Sequence, residues 1–522
     1  MKLKSLSSAL AFLFASALPA QSPMSLPADL DSYIARVMKE FTVPGVSLAV
    51  VKDGKVLAAK GYGVRELGKS VPVDALTRFG IASNTKAFTA TALGILVEEG
   101  KLEWDAPVIR YLPSFAMYDP FVTRELTIRD LLVHRSGLGL GAGDLLWWPP
   151  STYDRKEIAR RLRFIKPATS FRTAYAYDNV LYLIAGEVIE TISGQTWEDF
   201  VSSRILARVG MTNSNVRHSD AGAAGNDAFP HAEVEGRVRR VAPFASDNTN
   251  PAGGINAGAT DMAKWMIVQL DSGRLSDGSR LFSQSTAREL WTLVTPITPG
   301  TPAPELSFLR SSFVGYGLGF FVSDYRGRKL LSHTGGLPGY LSKVVMLPDQ
   351  KTGVAVLTNQ ESGYAFNAIT NRLLDHFLGA APVDYPAIYK RLEAGGNDRI
   401  AAADRAAAAK RDSLSRPSLP LSGYMGTYAD PWYGDVIIGQ ESGKLFIRFA
   451  HSPSLVGDLV HWQHDTFVAR WRDRELRADA FVTFALNPNA SIDQIKMQPV
   501  SESVDFSFDF QDLLLKPKPR TR

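Results

Sequence analysis

The chain has 522 residues, a hydrophobic fraction of 45% and a formal net charge of +5 at pH 7. This length exceeds one ordinary domain, and the small, dispersed positive charge gives no basis for nucleic-acid binding. Cysteine is absent, which excludes a disulfide framework and a thiol nucleophile, and the eight histidines show no metal-ligand spacing, so we expect neither a metal nor another cofactor.

The N-terminal segment has the pattern of an export signal. Lys2 and Lys4 form a positive start, residues 9–18 form a short apolar core, and small residues follow for cleavage. We therefore expect a signal peptide over residues 1–20 and a periplasmic or secreted mature protein, with an uncleaved membrane anchor as the alternative. No later segment is apolar over the ~18 residues that a membrane span requires, so none is expected after cleavage.

Strand patterns occur in two distant groups. An apolar run at 45–51, an Asp53-Gly54 turn and a second run at 56–62 predict a hairpin. Three further strands are predicted at 329–333, 343–347 and 354–358. Helical patterns dominate the region between the two groups. The predicted fold class is therefore α+β, with an antiparallel sheet of five or more strands flanked by helices.

The chain contains one Ser-x-x-Lys, Ser83-Asn84-Thr85-Lys86, at the start of a predicted amphipathic helix. Residues three apart share one face of a helix, so Lys86 would point at the Ser83 hydroxyl. A serine is nucleophilic near neutral pH only with a base within hydrogen-bond reach, and Lys86 would be that base. The alternative is a polar helix start without a function.

Tyr177 and Asn179 form the one Tyr-x-Asn of the sequence, just before another apolar run. A phenol can transfer a proton to a leaving group if nearby cations stabilise its phenolate, and Lys86 would be such a cation. Asn179 could present its amide to a substrate carbonyl or to the lysine. The alternative is that Tyr177 packs at a core edge and Asn179 caps the following helix.

The third pattern is His333-Thr334-Gly335-Gly336, at the end of a predicted strand and before a Pro-Gly turn. Glycines there would let a substrate backbone lie against the strand edge. The amide of Gly336, with that of Ser83, could stabilise an oxyanion. The alternatives are a hydrogen-bonded histidine at a strand end and a simple turn.

The C-terminal quarter changes character. Residues 381–420 predict a helical linker, with an exposed helix near 400–411, and residues 421–522 predict a β domain, either a barrel or a sandwich. Its predicted strands lie at 435–438, 444–449, 466–471 and 481–486. The first sheet would be complete by Thr358, so we expect residues up to 414 to fold alone.

The three motifs, in this order and spacing, resemble the serine penicillin-recognising family of class C β-lactamases, D,D-carboxypeptidases and D-stereospecific aminopeptidases. The resemblance implies a serine β-lactamase/transpeptidase-like catalytic domain over 26–380, and the β domain is similar to the lipocalin-like domain of some relatives. It further implies acyl transfer, with Ser83, Lys86 and Tyr177 as catalytic residues. Asn179, His333, Thr334, Gly335 and Gly336 would bind the substrate and the oxyanion. Whether Lys86 or Tyr177 is the base stays open.

Class C β-lactamases carry lysine where this chain has His333. An unperturbed imidazole is mostly uncharged at neutral pH but gains charge below about pH 6.5, so we expect weak capture of a substrate carboxylate that improves on acidification. This favours a small peptide or amide substrate, in particular one containing D-residues, over a β-lactam. An esterase or weak β-lactamase on the same site, and a non-catalytic sensor of cell-wall peptides, are the alternatives. An oligomer is possible.

Overall fold

The computed structural model describes residues 25–222 and 225–519; the expected signal peptide lies outside them. The helices in chain order are α1 (Leu30–Glu40), α2 (Lys86–Glu98), α3 (Pro120–Glu125), α4 (Arg155–Arg161), α5 (Val180–Ser193), α6 (Trp197–Val201), α7 (Ala207–Val209), α8 (Asn250–Gly253), α9 (Ala259–Leu270), α10 (Gln284–Leu290), α11 (Gly363–Phe377) and α12 (Tyr385–Ala409). Within the described ranges, no helix is long and apolar enough to cross a bilayer.

The strands before α11 form one large sheet and two separate two-stranded pairs. They are β1 (Gly45–Lys52), β2 (Lys55–Gly63), β3 (Phe79–Gly80), β4 (His231–Val234), β5 (Arg237–Arg240), β6 (Asn256–Ala257), β7 (Thr295–Ile297), β8 (Val314–Tyr316), β9 (Phe321–Tyr325), β10 (Arg328–Leu337), β11 (Tyr340–Leu347) and β12 (Thr352–Thr358). The large sheet is antiparallel, in the order β2-β1-β12-β11-β10-β9-β8-β7. The separate pairs are β3 with β6 and β4 with β5.

This sheet confirms the predicted α+β class. The five predicted strands are present, and the N-terminal hairpin pairs with β12 as expected. Asp53 and Gly54 both have positive φ, 49° and 74°, as a two-residue hairpin turn requires. β1 is buried along its whole length because separate hydrophobic clusters cover the two faces of the sheet. The sequence analysis missed β7, β8 and β9, which extend the sheet to eight strands.

Helix α2 is not amphipathic, contrary to the sequence prediction. Every residue from Lys86 to Leu96 is buried. The helix is enclosed by its neighbours; Phe88, for example, stacks on Trp265 of α9 with ring centroids 3.8 Å apart. A helix that is apolar all round is a buried helix, and the lysine that opens it is therefore buried too.

The C-terminal strands form a nearly closed, eight-stranded antiparallel barrel. They are β13 (Gly426–Asp430), β14 (Gly434–Glu441), β15 (Lys444–Phe449), β16 (Val456–Gln463), β17 (Thr466–Trp471), β18 (Ala480–Leu486), β19 (Ile492–Pro499) and β20 (Lys516–Pro517). Ile495 of β19 exchanges two backbone hydrogen bonds with Leu515, of 2.8 and 3.1 Å, which brings the ends of the sheet together. Large buried side chains fill the interior: Tyr424, Tyr428, Phe449, Phe467, Trp471 and Phe484.

The barrel and the helical region share one hydrophobic core. Tyr153 stacks on His451 of the barrel at 4.1 Å, and Trp148 meets Phe508 edge-on at 6.4 Å. The expectation that residues up to 414 fold alone assumed two separate cores, and that assumption is wrong. The large sheet needs no residues of the barrel to be complete. The apolar side of the helical region, in contrast, is covered only when the barrel packs against it.

We predict that a chain ending at residue 414 is insoluble or unfolds at least about 5 °C below the full chain, because it exposes this shared apolar surface. The control is the full chain with a protease site inserted after Ser415 and cut after folding, which keeps every contact. Its two fragments should co-elute with an unchanged Tm. A truncated chain that is monomeric and as stable as the full chain would contradict the shared core.

Candidate active site

Ser83 lies in a 3-10 turn, Ala82–Thr85, that leads directly into α2. Ala82 is buried and has a left-handed φ of 48°, a conformation that costs free energy for a residue with a Cβ and that is concentrated at functional sites. Strand β10 crosses close to this turn. A Cβ on Gly335 would lie 2.2 Å from the Ile81 carbonyl oxygen, so only glycine permits the approach.

Lys86 directs its amine at Ser83. Its Nζ donates three hydrogen bonds: to Ser83 Oγ at 3.0 Å, to Asn179 Oδ1 at 2.7 Å and to the Ala252 carbonyl oxygen at 3.1 Å. Three acceptors match the three protons of an ammonium group. The side chain is fully buried, with 0% exposure.

Burial lowers the pKa of Lys86 to about 7, against the opposing attraction of Asp144 and Asp178. Both carboxyl groups are themselves buried, and burial raises the pKa of each to about 7. The lysine therefore lies among groups that are close to half-protonated near neutral pH. This is the electrostatic environment in which a lysine can accept a proton.

Tyr177 lies next to the Ser83 side chain, which lowers the pKa of its phenol but does not offset burial. The centre of its ring is 4.9 Å from Lys86 Nζ. The ring keeps part of its surface exposed, yet its enclosed surroundings raise the pKa of the phenol well above the ordinary value. Tyr177 is therefore a neutral phenol at physiological pH.

Asn179 occupies the position before α5, but its side chain does not cap that helix. Its Oδ1 accepts from Lys86, and its Nδ2 donates to Asp144 Oδ2 at 2.9 Å. The amide thus connects the lysine to a buried carboxylate, and the capping alternative is wrong.

Asp144 was missed by the sequence analysis. It is fully buried and accepts hydrogen bonds from Asn179, from the Trp147 indole at 2.9 Å and from the Ser507 hydroxyl at 2.9 Å. A lone aspartate in a glycine-rich loop gives no signal from which this contact could be predicted.

His333 does not behave as the sequence analysis assumed. It is buried, its Nδ1 donates to the Thr334 carbonyl oxygen at 2.5 Å, and its Nε2 therefore accepts from the Tyr316 hydroxyl at 2.8 Å. Burial lowers the pKa of His333 to about 3, and the nearby charge of Lys86 acts in the same direction. The expected gain of charge below pH 6.5 is therefore wrong, and the expected weak capture of carboxylates at neutral pH stays a prediction.

Thr334 and Gly336 face outward from β10, alternating with the buried His333 and Gly335. Gly336 lies at the margin of a cavity of about 710 Å³ between the large sheet and the barrel. Trp148, Pro149 and Pro150 line this cavity. Among the described residues, no group of three or more His, Cys, Asp or Glu side chains is placed to hold a metal ion.

We predict that the His333 ring stays neutral, in its Nδ1–H form, from about pH 5 to pH 8, because protonation would place a charge in the dry interior beside Lys86. Long-range ¹H–¹⁵N NMR spectra of the imidazole nitrogens measure this directly, and a His333→Asn variant assigns the signal. A titration of this ring with a midpoint near pH 6.5 would contradict the geometry described here.

Comparisons with known proteins agree with this fold. The chain is 27% identical over 509 residues to the unguisins hydrolase ungD of Aspergillus violaceofuscus, covering 90% of this chain and 87% of that protein. An octameric penicillin-binding protein homologue from Pyrococcus abyssi superposes with a TM-score of 0.59 at 24% identity, covering 91% of this chain and 98% of that one. A D-amino acid amidase from Ochrobactrum anthropi SV3 has a TM-score of 0.55 at 24% identity, covering 67% of this chain and 98% of that one.

Both structural likenesses concern the fold alone. A model described as a domain of unknown function, DUF3471, matches residues 410–517. The Beta-lactamase family model matches residues 30–378, and the chain belongs to the Beta-lactamase family.

Proposed function

We propose that the protein is an exported serine hydrolase that acts through an acyl-enzyme on peptide or amide bonds, preferably those of D-residues. One observation carries the proposal: a fully buried lysine with a pKa of about 7 donates to the Ser83 hydroxyl at 3.0 Å. The family and the hydrolases among its relatives support the reaction class.

In this mechanism Lys86 accepts the proton of Ser83. With a pKa of about 7, roughly half of the lysine is neutral at pH 7. A neutral amine keeps two N–H donors, for Asn179 and the Ala252 carbonyl, and turns its lone pair towards Ser83. Ser83 then attacks the substrate carbonyl, and the amides of Ser83 and Gly336 would stabilise the oxyanion.

Tyr177 is the weaker candidate for the base. Its phenol has a pKa well above its ordinary value, so almost none of it is phenolate at pH 7. As a neutral group next to Ser83, it is suited to donate a proton to the leaving amine after Lys86 has taken the serine's proton. In deacylation the roles would reverse: Tyr177 would take a proton from the attacking water, and Lys86 would return its proton to the Ser83 oxygen.

The surroundings of the site favour a substrate without a carboxylate. His333 is neutral, and among the described residues that line the cavity the one cation, Arg477, is held by Glu361 in two hydrogen bonds of 2.6 and 2.8 Å. The remaining charged side chains of the lining are acidic. Coulombic capture of a β-lactam carboxylate would therefore be weak.

The relatives indicate which amides to test. The D-amino acid amidase shares this fold, and the unguisins hydrolase aligns over most of the chain. Apolar walls formed by Trp148, Phe244 and Phe508 would suit an apolar side chain. An esterase would use the same site. A pure sensor would not require the lysine to be held against Ser83. Export and an oligomer like that of the octameric Pyrococcus protein remain parts of the proposal.

We predict that D-amino acid amides with apolar side chains are hydrolysed at least about tenfold faster, in kcat/KM, than their L-enantiomers and than a cephalosporin. Intact-mass spectrometry should find the acyl group on the wild type and none on Ser83→Ala. Ser307→Ala, at an exposed serine in another 3-10 turn, is the matched control and should keep full activity. Turnover that persists in Ser83→Ala, or an L-preference, would contradict the proposal.

A further inference from the structure

A short segment of the barrel, residues 506–509 between β19 and β20, reaches into the candidate active site. Phe506 meets the Tyr177 ring edge-on at 6.3 Å. The Ser507 hydroxyl donates to Asp144 Oδ2 at 2.9 Å. Asp509 accepts from two backbone amides of the loop that carries Asp144, those of Gly143 at 2.7 Å and Leu145 at 3.0 Å. We call these residues the barrel finger.

The barrel finger continues the hydrogen-bond chain that holds the lysine. From Ser507 the chain runs to Asp144, then to the amide of Asn179, and ends on Lys86 Nζ. Ser507, Asp144 and Asn179 are 4%, 0% and 5% exposed, so water does not substitute for a missing partner without entering the core. At each step of this chain, one side chain fixes the orientation of the next.

Asp509 and Ser507 have different roles, since Ser507 binds the Asp144 side chain and Asp509 binds the loop backbone beside it. Asp509 is fully buried and accepts from the backbone amides on either side of Asp144, those of Gly143 and Leu145, so it fixes the position of the Asp144 backbone. Burial, and secondly the charge of Asp144, raise the pKa of Asp509 well above its ordinary value. Two buried carboxyl groups this close disfavour ionisation of each other.

Of the two carboxyl groups, Asp144 ionises more readily. Three side chains donate to it, those of Asn179, Trp147 and Ser507, and the Lys86 ammonium attracts it, whereas Asp509 receives only backbone amides. The titratable groups that face Lys86 from the surrounding elements are Asp144, Asp178, Tyr177, Tyr182, His134 and His333.

We propose that Ser507 and Asp509 of the barrel are positioning residues for the Ser83–Lys86 pair: by holding Asp144 they orient Asn179 and, through it, the lysine amine. The barrel is then a component of the active site and not only packing support. This inference rests on the proposed role of Lys86 as the base.

The barrel provides matched controls. Asp430 is also buried and also accepts backbone amides, from Trp432 and Leu514 at 2.8 Å each, but only within the barrel. Ser452 is a buried serine that accepts from the Tyr433 hydroxyl at 3.0 Å. Asp430→Asn and Ser452→Ala therefore lose interactions of the same kind without touching the chain that leads to Lys86.

The test is the rate at which a fluorophosphonate labels Ser83, measured against pH in the full chain. This reagent needs only an activated serine, so it does not depend on knowing the substrate. We expect Ser507→Ala and Asp509→Asn to label at least about fivefold more slowly than the wild type on the high-pH plateau of the profile, where the lysine is neutral in every variant. In Ser507→Ala the midpoint of the pH profile should also move down, because Asp144 loses a donor, binds a proton more readily and then stabilises the Lys86 ammonium less. Asp430→Asn and Ser452→Ala should lower only Tm.

Two results would overturn the inference: wild-type rates and midpoints in Ser507→Ala and Asp509→Asn, or equal losses in the control variants. If Asp509→Asn does not fold, Ser507→Ala alone decides, because loss of one hydroxyl leaves the packing intact. A wild type that the reagent does not label would instead refute the proposed function, so the two failures are distinguishable.

Discussion

The burial of one amine constrains the rest of this structure. Lys86 opens a helix that is enclosed on every side, and its ammonium form has no carboxylate in direct contact among the hydrogen bonds that it makes. Its three N–H groups instead donate hydrogen bonds to a hydroxyl, a side-chain amide oxygen and a backbone carbonyl. Neutral acceptors satisfy the donors without fixing the charge, so the amine can lose a proton at modest cost. A salt bridge at the same place would have kept it protonated.

This arrangement explains why so many elements converge on one point. The turn before α2 provides Ser83, the loop before α5 provides Tyr177 and Asn179, and α8 provides the Ala252 carbonyl. Strand β10 approaches the turn so closely that Gly335 has no room for a side chain. The large sheet thus fixes the strand edge where a substrate would lie, while the helices fix the base beneath it. The barrel closes the cavity on the open side.

The sequence was sufficient for the motifs and the central sheet. Ser83 and Lys86 are three residues apart, and the strands at 45–51 and 354–358 are short, mainly apolar runs, so local sequence patterns determine both. It was insufficient where distant groups meet. Asp509 and Gly143 are 366 positions apart, and nothing in either neighbourhood marks the other. The prediction that His333 gains charge below pH 6.5 was wrong for a related reason. The charge depends on burial of the ring against Tyr316, which no local pattern predicts. Helix α2 was taken as half-exposed because its surroundings come from five other parts of the chain.

The most direct test of this account is the protonation state of Lys86 itself. With ¹³C-labelled lysine, the chemical shift of its Cε, assigned with a Lys86→Arg variant, can be followed by NMR from about pH 5 to pH 11. We predict a single titration for this lysine with a midpoint of about 7. A midpoint near the ordinary lysine value of about 10.4 would show that the buried amine stays charged, and would contradict its role as the base.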